Sequence, residues 1–317
     1  MISISKSTSD PNISVYKHNR WKGLDGKKTT LANRDLQKAI AYYGDPTKFK
    51  NNQKLTDEKS IKYEAYSHKD TKEVLKEVFH SKCAYCESYI AHIEPGDVEH
   101  FRPKAKVVTD QGNSLIPGYY WLGASWNNLL LSCINCNRPN RLLINSTTDE
   151  VLMGKANFFP ISDESKRLRN HNQDIALENP FVQLINPCSD DPEQHLDFLP
   201  NGEVKALDEK GEKSIAIYGL YRADLVLRRK KTAEGLSRTL EFLVMEIKDI
   251  QEKQAHGMPI DLSLDKLAMH LESLKKALEE KAEYLAIKKA LIAQFIASNP
   301  ISNNKLVDLG VDLTDLL

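Results

Sequence analysis

Four of the five cysteines fall in two pairs of identical spacing, Cys83-x-x-Cys86 and Cys133-x-x-Cys136. One such loop brings two thiolates within reach of one metal ion, and two loops complete the tetrahedral four-sulfur set that structural zinc prefers. The gap between the pairs is far wider than in a compact zinc ribbon, so a folded segment must sit inside the bracket. That segment carries Asp97-Val98-Glu99-His100-Phe101-Arg102-Pro103-Lys104 and Trp126-Asn127-Asn128, and Asn137 directly follows the last cysteine. An imidazole near neutral pH can take a proton from water. A carboxylate is a hard oxygen ligand suited to magnesium or manganese, and the Asn137 amide can lend its oxygen to the same ion. Adjacent residues of a strand point to opposite faces, so Glu99 and His100 serve one site only at a strand end or bend, which nearby Pro103 can supply. Asp97 is the alternative carboxylate ligand, and Asn127 is easily confused with Asn128.

Glu99-His100, Asn128 and Asn137 together resemble the HNH (ββα-metal) nuclease motif, in the variant that ends in asparagine and is stapled by two CxxC knuckles. The likeness extends through Cys83-Ala84-Tyr85-Cys86-Glu87, Val98 to Lys104, Trp126 to Leu130 and Cys136-Asn137 to the HNH subunit of Septu anti-phage systems, also found beside some retrons. Phe159-Pro160, Leu184-Ile185-Asn186-Pro187 and Asp190 to Leu196 look like downstream features of the same family. The resemblance implies an α+β, mostly helical chain with a zinc-stapled ββα-metal module. It implies a metal-dependent endonuclease that hydrolyses phosphodiesters, DNA before RNA, under the control of a companion ABC/SMC-like ATPase. Carried over by position, His100 would be the general base. Glu99 and Asn137 would hold one catalytic Mg2+ or Mn2+, Asn128 would hold the loop that orients His100, and Cys83, Cys86, Cys133 and Cys136 would bind Zn2+. Two departures stand out. Arg141 occupies the place of the basic residue expected after the second knuckle, and the stretch from there to Phe159-Pro160 is longer than usual, which points to a local insertion.

Charge sorts the partners. Lys plus Arg equals Asp plus Glu, 44 each, so any nucleic-acid surface must come from local clustering. Arg102, Lys104 and Lys106 alternate and would share one face of a strand, with Arg138 and Arg141 just after the second knuckle. Such residues position a phosphate backbone without reading sequence. Arg228-Arg229-Lys230-Lys231 is either a remote contact or a solvated helix face. No run approaches a membrane span. The N-terminal residues lack the apolar core of a signal peptide, and paired thiolates suit a reducing cytoplasm. Two rivals to the DNA nuclease remain: a zinc-stapled nucleic-acid-binding module without catalysis, and an HNH ribonuclease acting on tRNA or other RNA. Oligomerisation, with itself or a partner, is left open.

The elements that must position these groups follow from periodicity. Helical spacing runs over Leu31 to Tyr43, stopping near Gly44-Asp45-Pro46, and over His68 to His80, which delivers the chain to Cys83. Residues 51–60 read as loop. Val98 and Val107-Val108 have strand character, and Asp110-Gln111-Gly112-Asn113 is a turn signal. Arg138 to Ile144 can start a short helix with Pro139 in its first turn. Leu196-Asp197-Phe198 and Val204 flank a hairpin. His195, among Asp190, Asp191 and Glu193, marks either a solvated loop or a second cation site, and Cys188 stands alone. From Glu212 the pattern is helical, breaking at His256-Gly257-Met258-Pro259. A second long helix then runs from Ser263 to Ser298, an antiparallel pair. Four segments result: an N-terminal helical segment 1–80, the HNH module 81–160, a loop-rich connector 161–211 and a C-terminal helical region 212–317.

Overall fold

The computed structural model describes residues 1–44, 61–144, 149–309 and 311–316. The loop expected over 51–60 and the helix stop at Asp45-Pro46 lie outside them. The chain opens with one turn, α1 (Ser14–Lys17), and a two-residue ribbon of β1 (Trp21–Lys22) and β2 (Lys28–Thr29). Next comes α2 (Leu31–Tyr43), over the range its periodicity predicts. Its first turn is capped by the Thr30 hydroxyl, which accepts the Asn33 N–H at 3.1 Å. The following helix, α3 (Lys69–Val78), buries Thr71 and Leu75 and hands on buried Phe79 before the first knuckle.

Between the cysteine pairs lie β3 (Asp97–His100) and a ribbon of β4 (Val107–Val108) and β5 (Ser114–Leu115). The expected turn at Gly112 joins the ribbon, where φ is +78°. Then come β6 (Leu129–Ser132) and one helical turn, α4 (Ile134–Asn137). β3 pairs antiparallel with β6, with Glu99 opposite Leu130 and His100 opposite Leu129. Leu129, Leu130 and Leu131 are wholly buried, so β6 is the floor on which β3 lies.

The short helix expected from Arg138 to Ile144 is instead an antiparallel hairpin of β7 (Asn140–Leu143) and β8 (Glu150–Met153). The cause is local. The residue before a proline is driven to extended backbone, and Arg138, before Pro139, sits at φ −94°, ψ 145°, ending α4. The hairpin expected around Pro200-Asn201-Gly202 is present as β9 (Leu196–Phe198) and β10 (Val204–Ala206).

The C-terminal part comprises α5 (Glu209–Tyr218), α6 (Ala223–Ala255), α7 (Asp261–Ala277), α8 (Leu285–Ser298) and α9 (Pro300–Asp308). α7 lies antiparallel to α6 across the expected break after Ala255. The single helix expected from Ser263 to Ser298 is two, α7 and α8, with Tyr284 between them at φ +54°. Its leucine stripe runs on because both pieces bury leucines, Leu267 and Leu274 in one and Leu285 and Leu291 in the other. The break comes from elsewhere in the chain. The Glu87 carboxylate accepts the N–H groups of Leu285 at 2.7 Å and Ala286 at 3.3 Å, and the Lys82 ammonium donates to the carbonyls of Glu280 and Ala282. The first two are orphan N–H groups at the start of α8, and the other two are carbonyls of the link between α7 and α8. One continuous apolar core joins the N-terminal elements, β6, α5, α6 and α8.

Glu87→Ala should therefore unravel the start of α8. Chemical denaturation should register a loss of about 1–2 kcal/mol, and hydrogen exchange should speed up at 285–290. Unchanged exchange there would refute the cap.

Candidate functional site

The four cysteine Sγ atoms all lie within 4.8 Å of one another, and all four residues are buried. In the first knuckle, Glu87 N–H donates to Cys83 O at 3.0 Å and Cys83 N–H to Ser88 O at 2.9 Å, closed by Glu87 at φ +65°. Ala84 N–H donates to Leu131 O at 2.8 Å, fastening this knuckle to β6. The second knuckle spans the residue before α4 and its third residue, and the free N–H of Ile134 donates to Glu94 Oε1 at 3.0 Å. Hydrogen bonds from Cys133 and Cys136 push the Cys86 thiol well below its ordinary value, whereas Cys133 is pushed well above by its sulfur neighbours. Four thiols this close are the set that a dication takes as thiolates. Arg222, at the start of α6, places Nη1 3.5 Å from Cys136 Sγ and Nη2 4.0 Å from Cys133 Sγ. Burial opposes its charge, and the Cys136 and Cys86 sulfurs override that, holding its pKa up. Set, spacing and burial fit one zinc ion.

One cavity of about 520 Å³ is lined by Asp97, Glu99, His100, Lys104, Asn137 and Arg138, among others. Glu99 and His100 reach the same cavity because β3 ends at His100. From there its edge is taken over: Phe101 N–H donates to Asn128 O at 2.9 Å and Arg102 N–H to the Asn128 side-chain oxygen at 2.8 Å. The Asn128 amide nitrogen in turn donates to Arg102 O at 2.9 Å and Leu122 O at 3.2 Å. Asn128, buried and fully engaged, fastens the chain after His100 to the loop that carries Gly123. His100 Nε2 lies 3.0 Å from Gly123 O, and Nδ1 lies 3.4 Å from Lys104 Nζ. A carbonyl only accepts and an ammonium only donates, so the proton sits on Nε2 and the lone pair on Nδ1. Burial pushes the imidazole well below its ordinary pKa, and the Lys104 charge adds to this, so the ring is neutral at physiological pH. The edge of Tyr66 packs against the ring at 4.6 Å between centroids.

The two candidate carboxylates differ. Asp97 is occupied: Arg138 grips it with two hydrogen bonds, 2.7 and 2.9 Å, and Asn137 Nδ2 donates to it at 2.9 Å. Burial pushes its carboxyl up, but the Arg138 and Asn137 bonds prevail and hold it below the ordinary range. Glu99 is buried and touches a residue that sequence patterning does not single out, Lys155, whose Nζ lies 2.6 Å from Oε1. Each carboxylate of β3 thus has a cationic partner, and the Asn137 amide nitrogen is committed to Asp97. Glu99 and Asn137 both line the cavity, and carboxylate and amide oxygens are the donor chemistry that a magnesium or manganese ion takes.

The basic residues divide. The chain leaves strand geometry at Phe101, so Arg102, Lys104 and Lys106 share no strand face. Arg102 is buried, paired with Glu178 at 3.4 Å and bonded to Asn179 at 2.8 Å, and is no phosphate contact. Lys104 does face the cavity, its ammonium 4.2 Å from the Tyr66 ring centroid, and burial pushes it down to about 8. Lys106 and Arg141 lie outside the cavity lining, and Arg141 is exposed on β7. In the basic run on α6, Arg229 is buried and donates to Leu220 O, while its neighbours Arg228 and Lys230 face out or pair with Glu234. The acidic stretch at 190–193 spends its oxygens internally: Asp190 on Lys210 and Asn186, Asp191 on the N–H of Glu193. His195 pairs with Asp208 at 2.6 Å. Burial pushes the Cys188 thiol up to about 11, so it is not a thiolate.

The chain is 40% identical to the Septu protein PtuB of Bacillus mycoides (strain KBAB4) over 185 residues, which is 57% of each chain. It is also 24% identical to the Septu protein PtuA of the same organism over 245 residues, 75% of this chain and 32% of that protein. The chain thus spans about half of the first relative's length and a third of the second's. No family model matches it, and no solved structure matches it.

Metal analysis of the purified protein should find one zinc per chain. Cys86→Ser should lose that zinc and cost about 4 kcal/mol or more of stability, the scale of a lost metal site. A metal-free protein with the stability of the zinc-replete one would contradict the assignment.

Proposed function

We propose that the chain is a metal-dependent HNH endonuclease that hydrolyses phosphodiesters, in DNA before RNA. In this reading it acts as the effector of a Septu-type anti-phage defence system. What carries the reading is the convergence on one cavity of a neutral imidazole of defined tautomer, a buried carboxylate and an amide oxygen, with Lys104 beside them. The likeness to a Septu protein PtuB supplies the biological setting.

His100 would take a water proton at Nδ1, the nitrogen left bare by the Gly123 bond. Lys104, now against Nδ1, would swing onto an arriving phosphate oxygen and free that lone pair. Asn128 keeps the His100 carbonyl end and the Gly123 loop in register. Glu99 and Asn137 would hold the divalent cation, which supplies Lewis-acid stabilisation of the charged phosphate and leaving oxygen. Arg138 keeps Asp97 out of competition and offers its exposed edge to a strand entering the cavity.

Control by a companion ATPase belongs to the same proposal. Phe242, Met245, Met258, Leu262 and Met269 are exposed on the outer faces and joining loop of α6 and α7, and they are the candidate docking surface. Removing residues 232–317 is not a clean test of it, because α8 is bonded to Glu87 beside the sulfur cluster.

With Mg2+ or Mn2+ the protein should cut plasmid DNA, and His100→Ala should lower the rate by about 100-fold or more. Equal cutting by both would end the catalytic assignment, and digestion of RNA but not DNA would favour the ribonuclease. Paired substitutions Met245→Glu and Met269→Glu should abolish co-purification with the ATPase without changing the melting temperature; undiminished co-purification would exclude this docking face.

A further inference from the structure

Lys155 is among the largest wholly buried side chains, and it is bonded to both α4 and β3. Its backbone N–H donates to Cys136 O at 2.8 Å and the next, that of Ala156, to Asn137 O at 2.6 Å, so the segment is strapped to the end of α4. Gly154 makes the strap possible. It sits at φ +103°, and a Cβ there would lie 2.0 Å from Arg138 O. From this anchor the side chain crosses to β3, where the ammonium lies 2.6 Å from Glu99 Oε1 and donates to His100 O at 2.9 Å. Burial opposes both charges, pushing the Glu99 carboxyl up and the Lys155 ammonium down, and each is the other's chief offset, because an isolated buried ion is far costlier than a paired one.

We propose that Lys155 is the built-in counter-cation of Glu99: it neutralises the carboxylate in the ion-free protein and holds down the affinity of the site for a divalent ion. It is a positioning residue, acting through Glu99. The proposal rests on the reading in which Glu99 is the ion's ligand. Its logic is electrostatic. An ion on Glu99 would share the carboxylate with a fixed positive charge a few ångströms away, and like charges at that range in a buried setting repel strongly. Binding would then be weak until a third negative group enters, and the phosphate of a nucleic acid is such a group. The site would load with substrate rather than before it.

The test uses the full chain and Mn2+ alone, titrated with the electron paramagnetic resonance signal of free Mn2+ as readout. Lys155→Met should bind Mn2+ on the order of tenfold tighter than the native protein, and adding Glu99→Gln should erase the gain. The metal-free Lys155→Met protein should melt lower, and the Glu99→Gln/Lys155→Met pair should recover much of the loss. A residue that merely held the strap in place would weaken binding, not strengthen it. Unchanged or weaker Mn2+ binding in Lys155→Met, no binding by either protein, or a double variant that melts no higher than the single one would each overturn the proposal. If Lys155→Met does not fold, a folded double variant supports the counter-charge and an unfolded one refutes it. The nuclease reading fails separately: tighter Mn2+ binding without cleavage would sink that reading and spare this one, and His100-dependent cleavage without tighter binding would do the reverse.

Discussion

Convergence of four sulfurs within 4.8 Å is the constraint on which the rest of the site depends. The working elements are too small to stand alone. β3 and β6 have four residues each and α4 a single turn, below the length at which a ribbon or helix persists in water. The cluster closes the chain on itself, with the first knuckle bonded to β6 through Ala84 and the second forming α4. Asn137 and His100 are thereby brought to one cavity wall although far apart in sequence.

A second constraint is charge. The site is lined and backed by buried ionic groups, and each is compensated by a residue from another segment: Glu99 by Lys155, Arg102 by Glu178, and Arg222 by the sulfurs. Removing one partner from such a pair leaves an uncompensated charge, so these contacts specify a single arrangement even where their net contribution to stability is small. The same principle separates the acids of β3. Asp97 is spent on Arg138 and Asn137, while Glu99, two residues on and more deeply buried, is paired with Lys155.

The C-terminal helices share the core and bond to the residues around the cluster. Glu87 beside the first knuckle caps the start of α8, Lys82 holds the link before it, and the Ser88 and Tyr284 hydroxyls lie 3.0 Å apart. Arg222 joins the start of α6 to the sulfurs. The starts of α6 and α8 are thus bonded directly to the residues around the cluster.

Much of this was legible in the residues themselves. Identical CxxC spacings, the Glu99-His100 pair, Asn128 and Asn137 point to one stapled site. Helical period alone places Leu31–Tyr43 and the helical character of the C-terminal region, though not its breaks at 219–222 and 278–284, because the period is local and repeats along the chain. Where one residue dictates its neighbour's backbone, a closer reading would have sufficed, as with Arg138 before Pro139. The rest was decided by contacts between distant segments, which no local pattern records. Arg102 turns inward because Glu178 and Phe159 wait there, the last leucine-striped helix breaks because Glu87 and Lys82 compete for its backbone, and Lys155 becomes part of the site only because Gly154 lets its strap lie against α4. Sequence by itself determined which chemical groups are present and how they are paired along the chain. Tertiary structure decided which of them are buried and which carry a compensating charge, since burial and charge pairing depend on the whole surrounding fold.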